Sequence, residues 1–402
     1  MDLINLNSFL KFGYFLKYKT KKKLFDFGES KIDLSNYNKN ELIFDSGNLF
    51  QSAINSNFKN NEKHLVPISG GLDSRAILAG LLENTEAKNI YTFTFGQPGS
   101  YDFEIGNYIS NKIGTNHQSY NLKQTTWDQD ELINTAQRFS FQTNLFYHPN
   151  TSNILSEYKG INYWSGFMGD PIAGSHFVKN VKPNRLKSNF ITKNTFVKST
   201  NLCCCEDEDF FKLIEINNKL KHLISDTENI DFTNRQLKYI SPHVLFKGLK
   251  VITPFLNKDW SNFMLSLDSN YRFETSLYQD MLFEKYPSLF SLPTKAYMGL
   301  GLRPNKFKIF SKKIKHRIRS KINIDYQNPN INYLDFNYEI KYNKQLREIL
   351  ISQTRDLKNR KIVDWIDIDK LWRKHIKKEK NYSDALITLA SLEINLKAGK
   401  LL

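Results

Sequence analysis

Cysteine is scarce: the chain has three in 402 residues, side by side at Cys203, Cys204 and Cys205. That excludes a disulfide framework and offers no paired spacing for a zinc site, and it favours a reducing cytoplasm. Long apolar runs are also missing, since none reaches the ~20 residues that a membrane-spanning helix needs. The first residues, Met-Asp-Leu-Ile-Asn-Leu, place an acid early and a polar run at 17–23 next, which is not the order of a secretory leader. Acidic side chains are outnumbered, 41 against 57 basic, for a formal net charge of +16. An excess of that size fits nucleic acid, an anionic membrane surface or a polyphosphate ligand. Lysine, asparagine and isoleucine recur from end to end, however, so local clustering carries more weight. Between Arg303 and Lys321 every charged side chain is basic. The plain reading of that stretch is a solvated helix face or linker; the alternative is a surface for a partner or an acidic substrate.

What is present is the material of a folded, enzyme-sized body. Apolar residues make up 40% and aromatics 14%, too much for a chain that stays disordered. Residues 1–60 read as a short amino-terminal appendage of aromatic or alternating pieces, such as 12–18, with asparagine-rich connections. Within it, Leu42, Ile43, Leu49, Phe50, Ala53 and Ile54 are spaced for one helical face. Next, 65–68 is a short apolar run ended by Ser-Gly-Gly, and Ala76, Ile77, Leu78, Leu81 and Leu82 resume helical spacing. A second strand at 90–95 follows within a crossover length, so the pair reads as a βαβ unit of a parallel sheet. Phe103, Ile105, Ile109 and Ile113 then predict a helix, with Asp102 near its start and Gly114 just past its end. A third strand is expected at 161–164. Residues 303–402 read as a basic, helical portion of the 61–402 body, ending in a helix over 385–396.

The chemistry concentrates in Ser69-Gly70-Gly71-Leu72-Asp73-Ser74. Two consecutive glycines let the backbone turn sharply, so successive N–H groups can face one anion-sized hollow. A helix starting near Asp73 adds unpaired N–H groups and its positive end, and the Ser69 and Ser74 hydroxyls can donate to phosphate oxygens. A carboxylate in that position repels phosphates unless it holds a divalent cation, and magnesium prefers such oxygen ligands. The Walker-type loop requires a lysine that this loop lacks.

In this setting, residues 67–75 resemble the pyrophosphatase loop (PP-loop) of the asparagine synthetase family, in its synthetase half. tRNA-lysidine, GMP and thiouridine synthetases have a similar loop, so the later matches decide between them. Thr92-Phe93-Thr94-Phe95-Gly96, Tyr101-Asp102-Phe103-Glu104 and Gly114-Thr115-Asn116-His117 are similar in order and spacing to the stretch that follows the loop in that family. The run from Ser165-Gly166 to Asp170 resembles its second glycine loop, Thr253-Pro254-Phe255-Leu256-Asn257 its Pro-Phe-Leu element, and Leu292-Pro293-Thr294-Lys295 its Pro-Lys stretch. The terminal helix is similar too, and together the matches span roughly residues 40–402.

The resemblance implies an α/β fold with a doubly wound parallel sheet of the PP-loop (adenine nucleotide α-hydrolase-like) type and a helical carboxyl-terminal part. It implies ATP and Mg2+. Ser69, Gly70, Gly71 and Ser74 would hold phosphates, Ile68 and Phe95 would border the base, and Ser165 and Gly166 would touch the nucleotide. Asp73 and Asp170 would hold the metal, and Lys295 would neutralise the departing pyrophosphate. The reaction implied is adenylation of a small-molecule, peptide or saccharide carboxylate, followed by capture by ammonia or another amine. His117 and His176 are candidates for acid–base roles. Simpler readings stand beside all of these: Asp170 as a helix N-cap before Pro171, Lys295 as a surface lysine, His117 and His176 as ordinary partly exposed histidines, and the cysteines as passive thiols.

The sequence departs from the family pattern in several places. Residue 2 is Asp where glutamine-using members have a nucleophilic cysteine, so ammonia is expected from elsewhere, for example a separate glutaminase. Phe167 stands where the family has Glu, or Tyr in β-lactam synthetases, and phenylalanine cannot take a proton. Asn257 replaces an acid, and Lys250-Val251-Ile252 stands where Glu-x-Arg is expected. Two rival readings follow: an RNA-modifying enzyme of the lysidine type, favoured by the basic charge, and a catalytically degenerate nucleotide-binding protein, favoured by Phe167.

Overall fold

The computed structural model describes residues 2–20, 24–178, 181–245, 247–322 and 327–401. Part of the polar run at 17–23, the residues 21–23, lies outside the described residues, as do the side chains of Arg319 and Lys321 in the basic stretch. Five strands form one sheet: β1 (His64–Pro67), β2 (Ile90–Gly96), β3 (Asn116–Asn121), β4 (Asn162–Trp164) and β5 (Lys250–Ile252). Their order is β3-β2-β1-β4-β5 and every pairing is parallel. The sheet therefore grows outward from β1 in one direction and resumes at β4 in the other. The β1/β4 boundary is the switch point at which doubly wound folds bind ligands, beyond the carboxyl ends of the strands.

Successive strand residues point to opposite faces, and each face is covered, as the fold requires. Val66 and Trp164 enter one buried cluster with Phe50 and Ile54 of α2 (Lys39–Asn55), Ala76 and Ile77 of α3 (Asp73–Leu82), and Ile105 and Ile109 of α4 (Tyr101–Ile113). Leu65, Phe93 and Tyr163 enter another, on the opposite face, with Phe139, Ile154 and Tyr158. Helix α4 ends as the sequence predicts, at Gly114 in the left-handed region with φ +85°. Its N-cap is Ser100, two residues before Asp102, and its hydroxyl accepts from the Phe103 N–H.

The sequence reading missed two strands. The third strand along the chain is β3, not 161–164; the latter is β4 and starts at Asn162. Strand β3, Asn-His-Gln-Ser-Tyr-Asn, is a polar and mostly exposed sheet edge, and β5 is three residues long, so neither carries an apolar pattern.

The terminal helix Ser383–Lys397 is buried on every side, with Leu386, Ile387, Leu389, Ala390, Leu392 and Ile394 at 0% exposure. Such a helix must be surrounded. Lys344–Asn359 and Gln129–Arg138 pack on it, and so does α1 (Leu3–Phe12), which brings Leu6, Phe9 and Leu10 into the same cluster. The first residues thus form a capped helix built into the body, where the sequence suggested only short appended pieces. Among the described residues no helix is long and apolar enough to cross a membrane.

Candidate active site

Loops from both sides of the switch point meet over the strand ends. After β1, Ile68 extends the pairing: its N–H donates to the Phe93 carbonyl (2.8 Å) and its carbonyl accepts from the Thr94 hydroxyl (2.8 Å). The chain then turns through Gly70 and Gly71 into α3, which starts at Asp73. After β4, Ser165 donates to the Ile252 carbonyl of β5 (2.8 Å), and Met168 turns left-handed (φ 72°) into the short helix Gly169–Ala173. Glycine is required where the loops touch. A Cβ at Gly169 would lie 2.4 Å from Asp73 Cγ, and one at Gly166 would lie 3.0 Å from Asp73 Cβ.

Asp73 is the centre of this contact. Its Oδ1 accepts from the Tyr278 hydroxyl (2.8 Å) and its Oδ2 from the Asp170 N–H (3.0 Å). Burial, and next the neighbouring Asp170 carboxylate, push its pKa up to about 8. Asp170 is exposed, and it lies in the first turn of Gly169–Ala173; the N-cap position belongs to Met168, so the capping reading does not hold. Two adjoining carboxylates with no basic hydrogen-bond partner at Asp73 form a donor set suited to a hard divalent cation that keeps further oxygen ligands from phosphates or water. Among the described residues no cluster of three His, Cys, Asp or Glu side chains is placed to hold a metal by itself. The Ser74 hydroxyl is buried without a hydrogen-bond partner, a donor left for a ligand at the start of α3. The residues present therefore fit a metal-bound nucleotide.

A cavity of about 790 Å3 opens here. Ile68, Ser69, Gly71, Asp73, Ser74, Phe95, Ser165, Gly166 and Asp170 line it. Gly70 and Lys295 stand behind the lining, joined to each other: the Lys295 N–H donates to the Gly70 carbonyl (2.9 Å), and a Cβ at Gly70 would lie 3.0 Å from Lys295 Cβ. The Lys295 ammonium pairs with Asp102 (2.5 Å), which does line the cavity. This lysine is tied to the loop by its backbone and to α4 by its side chain, unlike a lysine free on the surface.

Two buried arginines set the geometry. Arg75, two residues beyond Asp73, donates to the carbonyls of Leu289 and Leu292 (3.3 Å each) and Pro293 (2.6 Å), which fixes the turn that carries Lys295. Arg272 pairs with the buried Glu228 (2.5 Å) and donates to the Ile172 carbonyl (3.0 Å), which fixes the helix that carries Asp170. The sequence reading assigned neither, nor Tyr278, because each acts on a segment far along the chain.

The cavity has further lining residues. The π-helical stretch Phe232–Ile240 turns Arg235 and Gln236 into it, and the sequence reading missed both. Such stretches often mark functional sites. Among the described residues that line the cavity, Asp73, Asp102 and Asp170 are the acids, and Arg235 is the one arginine or lysine. His148 and His243 lie beside it, held neutral by burial at about 4 and about 3. His176 also lines the wall, its Nδ1 3.4 Å from Asp231 Oδ2.

Residues 47–137 match the asparagine synthase family. The match takes in the β1 loop, α3, β2, α4 and β3, and it supports an ATP-dependent ligase family, whose members use ATP. The sheet order and the all-parallel pairing agree with the doubly wound PP-loop type. No curated protein matches the chain. The asparagine synthase match stops before β4, so the second loop, Phe167 and Lys295 rest on geometry.

The other singled-out residues have structural roles. Phe167 is 4% exposed, packs into the main core and also lines the cavity, where its ring can move no proton. His117, on the edge strand β3, bonds Thr92 (2.9 Å) and Asn107 (2.8 Å), outside the cavity lining. The cysteines are free thiols; burial pushes Cys203 up to about 12 and Cys205 up to about 11, so these two stay protonated.

Proposed function

We propose that this protein is an AMP-forming carbon–nitrogen ligase that adenylates a carboxylate and passes the acyl group to an amine. The observation that carries the reading is the meeting of two switch-point loops at Asp73, with Asp170 against it and the unpartnered Ser74 hydroxyl alongside. Ser69, Ser74 and the loop amides would bind phosphates, and Asp73 and Asp170 would hold Mg2+, which supplies positive charge to the phosphate oxygens. Ile68 and Phe95 offer an apolar wall for the base. Lys295, oriented by Asp102, supplies a fixed positive charge for the leaving pyrophosphate.

A carboxylate oxygen attacks the α-phosphorus, and the bond to pyrophosphate breaks. An amine then attacks the acyl carbon, AMP leaves with the bonding pair, and the nitrogen gives up a proton. Phe167 cannot accept that proton. Of the three histidines in the cavity lining, His176, with Asp231 Oδ2 3.4 Å from its Nδ1, would serve as the base. Arg235, the cationic lining residue, would hold an anionic group of the carboxylate substrate.

Pyrophosphate exchange into ATP, run over a panel of carboxylates, tests the first step. Exchange with at least one carboxylate supports the ligase. ATP binding without exchange across amino-acid, sugar-acid and peptide carboxylates would favour a degenerate nucleotide-binding protein, and salt-sensitive tRNA binding with tRNA-dependent exchange would favour the lysidine-type rival.

A further inference from the structure

The basic stretch forms a helix, Lys306–Ile322, four of whose apolar residues are exposed. Phe307 is 74% exposed, Phe310 61%, Ile314 40% and Ile318 51%. At helical spacing these four fall in one stripe about 80° wide. Lys308 and Lys315 flank it on one side, and Lys306, Lys313 and Arg317 on the other, with no acidic residue in the helix. Ile309 and His316 lie opposite the stripe and are half-buried. An amphipathic helix on a globular body ordinarily turns its apolar face inward. Here a contiguous apolar stripe, edged on both sides by cations, is presented to solvent.

We propose that Lys306–Ile322 docks flat on an anionic lipid surface. The Phe and Ile side chains would enter the acyl boundary while the flanking lysines and arginine reach up to lipid phosphates. The positive flanks supply the charge complementarity, and the net charge of +16 adds long-range attraction. Single-stranded nucleic acid matches the stripe less well, because its bases stack on aromatic rings, and half of this stripe is isoleucine. The helix also lies near the proposed active site. Lys312 Nζ sits 3.9 Å from where a Cβ on Gly299 would be, in the turn that carries Lys295. A bound surface would therefore border the phosphate-loop end of the cavity.

The test is co-sedimentation of the full chain with vesicles of phosphatidylcholine alone and of phosphatidylcholine mixed with phosphatidylglycerol. The expected result is binding to the mixed vesicles only, weakened by salt. Lys308→Gln with Lys313→Gln should weaken it about 30-fold. Phe310→Ser with Ile314→Ser should weaken it roughly 30- to 100-fold, with an unchanged melting temperature because both side chains are exposed. Absence of binding to the mixed vesicles overturns the proposal. So does binding that the serine pair leaves intact, which would be adsorption by charge alone. Tight RNA binding that the serine pair abolishes, without vesicle binding, would reassign the stripe to nucleic acid.

Discussion

Arg75 gives the sharpest test of how the two ends of the chain are coupled at the site. It is fully buried, has no carboxylate among its hydrogen-bond partners, and donates to three carbonyls around the Lys295 turn. Burial pulls its pKa down from 12.5 to about 10, a desolvation cost of about 3 kcal/mol. Hydrogen bonds from a charged donor contribute about 1.5–3 kcal/mol each, net of desolvation, and two of these three are long, so the set contributes about 2–4 kcal/mol. Arg75→Met fills much of the same space but leaves the carbonyls of Leu289, Leu292 and Pro293 without their donor. The variant should lose about 2–4 kcal/mol of stability, which for a chain of this length lowers the melting temperature by about 2–5 °C. It should also loosen Lys295, and a displacement of about 1 Å at such a group costs on the order of 100-fold in rate. Calorimetric titration separates the two effects: Mg-ATP and pyrophosphate should bind more weakly to the folded variant, while AMP, which does not need Lys295, should bind as before. Equal weakening for AMP, or an unchanged melting temperature with unchanged ATP affinity, would refute the positioning role.

Other consequences can be checked as directly. His176→Asn should leave pyrophosphate exchange intact while amide formation falls roughly 100-fold, measured as product per ATP consumed; equal loss in both steps would remove His176 as the base. Arg235→Gln should raise KM for the carboxylate by roughly 10- to 100-fold with little change in ATP affinity, because a charge-assisted pair is lost. The raised pKa of Asp73, about 8, sets two pH effects. Mg-ATP affinity should rise between pH 6 and 8 as the carboxylate loses its proton, by up to tenfold per unit, in calorimetric titrations. Because the folded pKa lies above the unfolded one, the metal-free protein should lose stability as pH rises from about 4 through 8, and Mg2+ should restore it in melting curves. Gly169→Ala should impair Mg-ATP binding, since its Cβ would collide with the Asp73 carboxylate.

The legible part of the fold was local. The β1 loop, α3, β2 and α4 follow from apolar spacing, paired glycines and the Gly114 cap, all within about fifty residues. Strands β3 and β5 were hidden because a polar edge and a three-residue strand carry no apolar period, and their place is set by pairing with β2 and β4. The first helix was hidden for a related reason. Leu6, Phe9 and Leu10 gain their meaning from the terminal helix they touch, more than 370 residues away along the chain. In the site, residues within glycine motifs stood out, whereas Tyr278, Arg235 and Arg272 did not. A lone tyrosine or arginine acquires a role only when the fold brings a carboxylate, a cavity or a carbonyl to it. The basic stretch shows the same limit in another form: its charges were evident in the sequence, but only the structure shows its phenylalanines and isoleucines facing solvent.

The central claim is that Asp73, together with Asp170, holds a cation that lets a triphosphate sit in the β1 loop. Calorimetric titration of ATP into the wild-type protein and into Asp73→Asn, each with and without Mg2+, tests it most directly. The account predicts Mg-dependent ATP binding in the wild type and its loss in the variant, with folding unchanged. Binding of equal strength in both proteins, or binding indifferent to Mg2+, would contradict it.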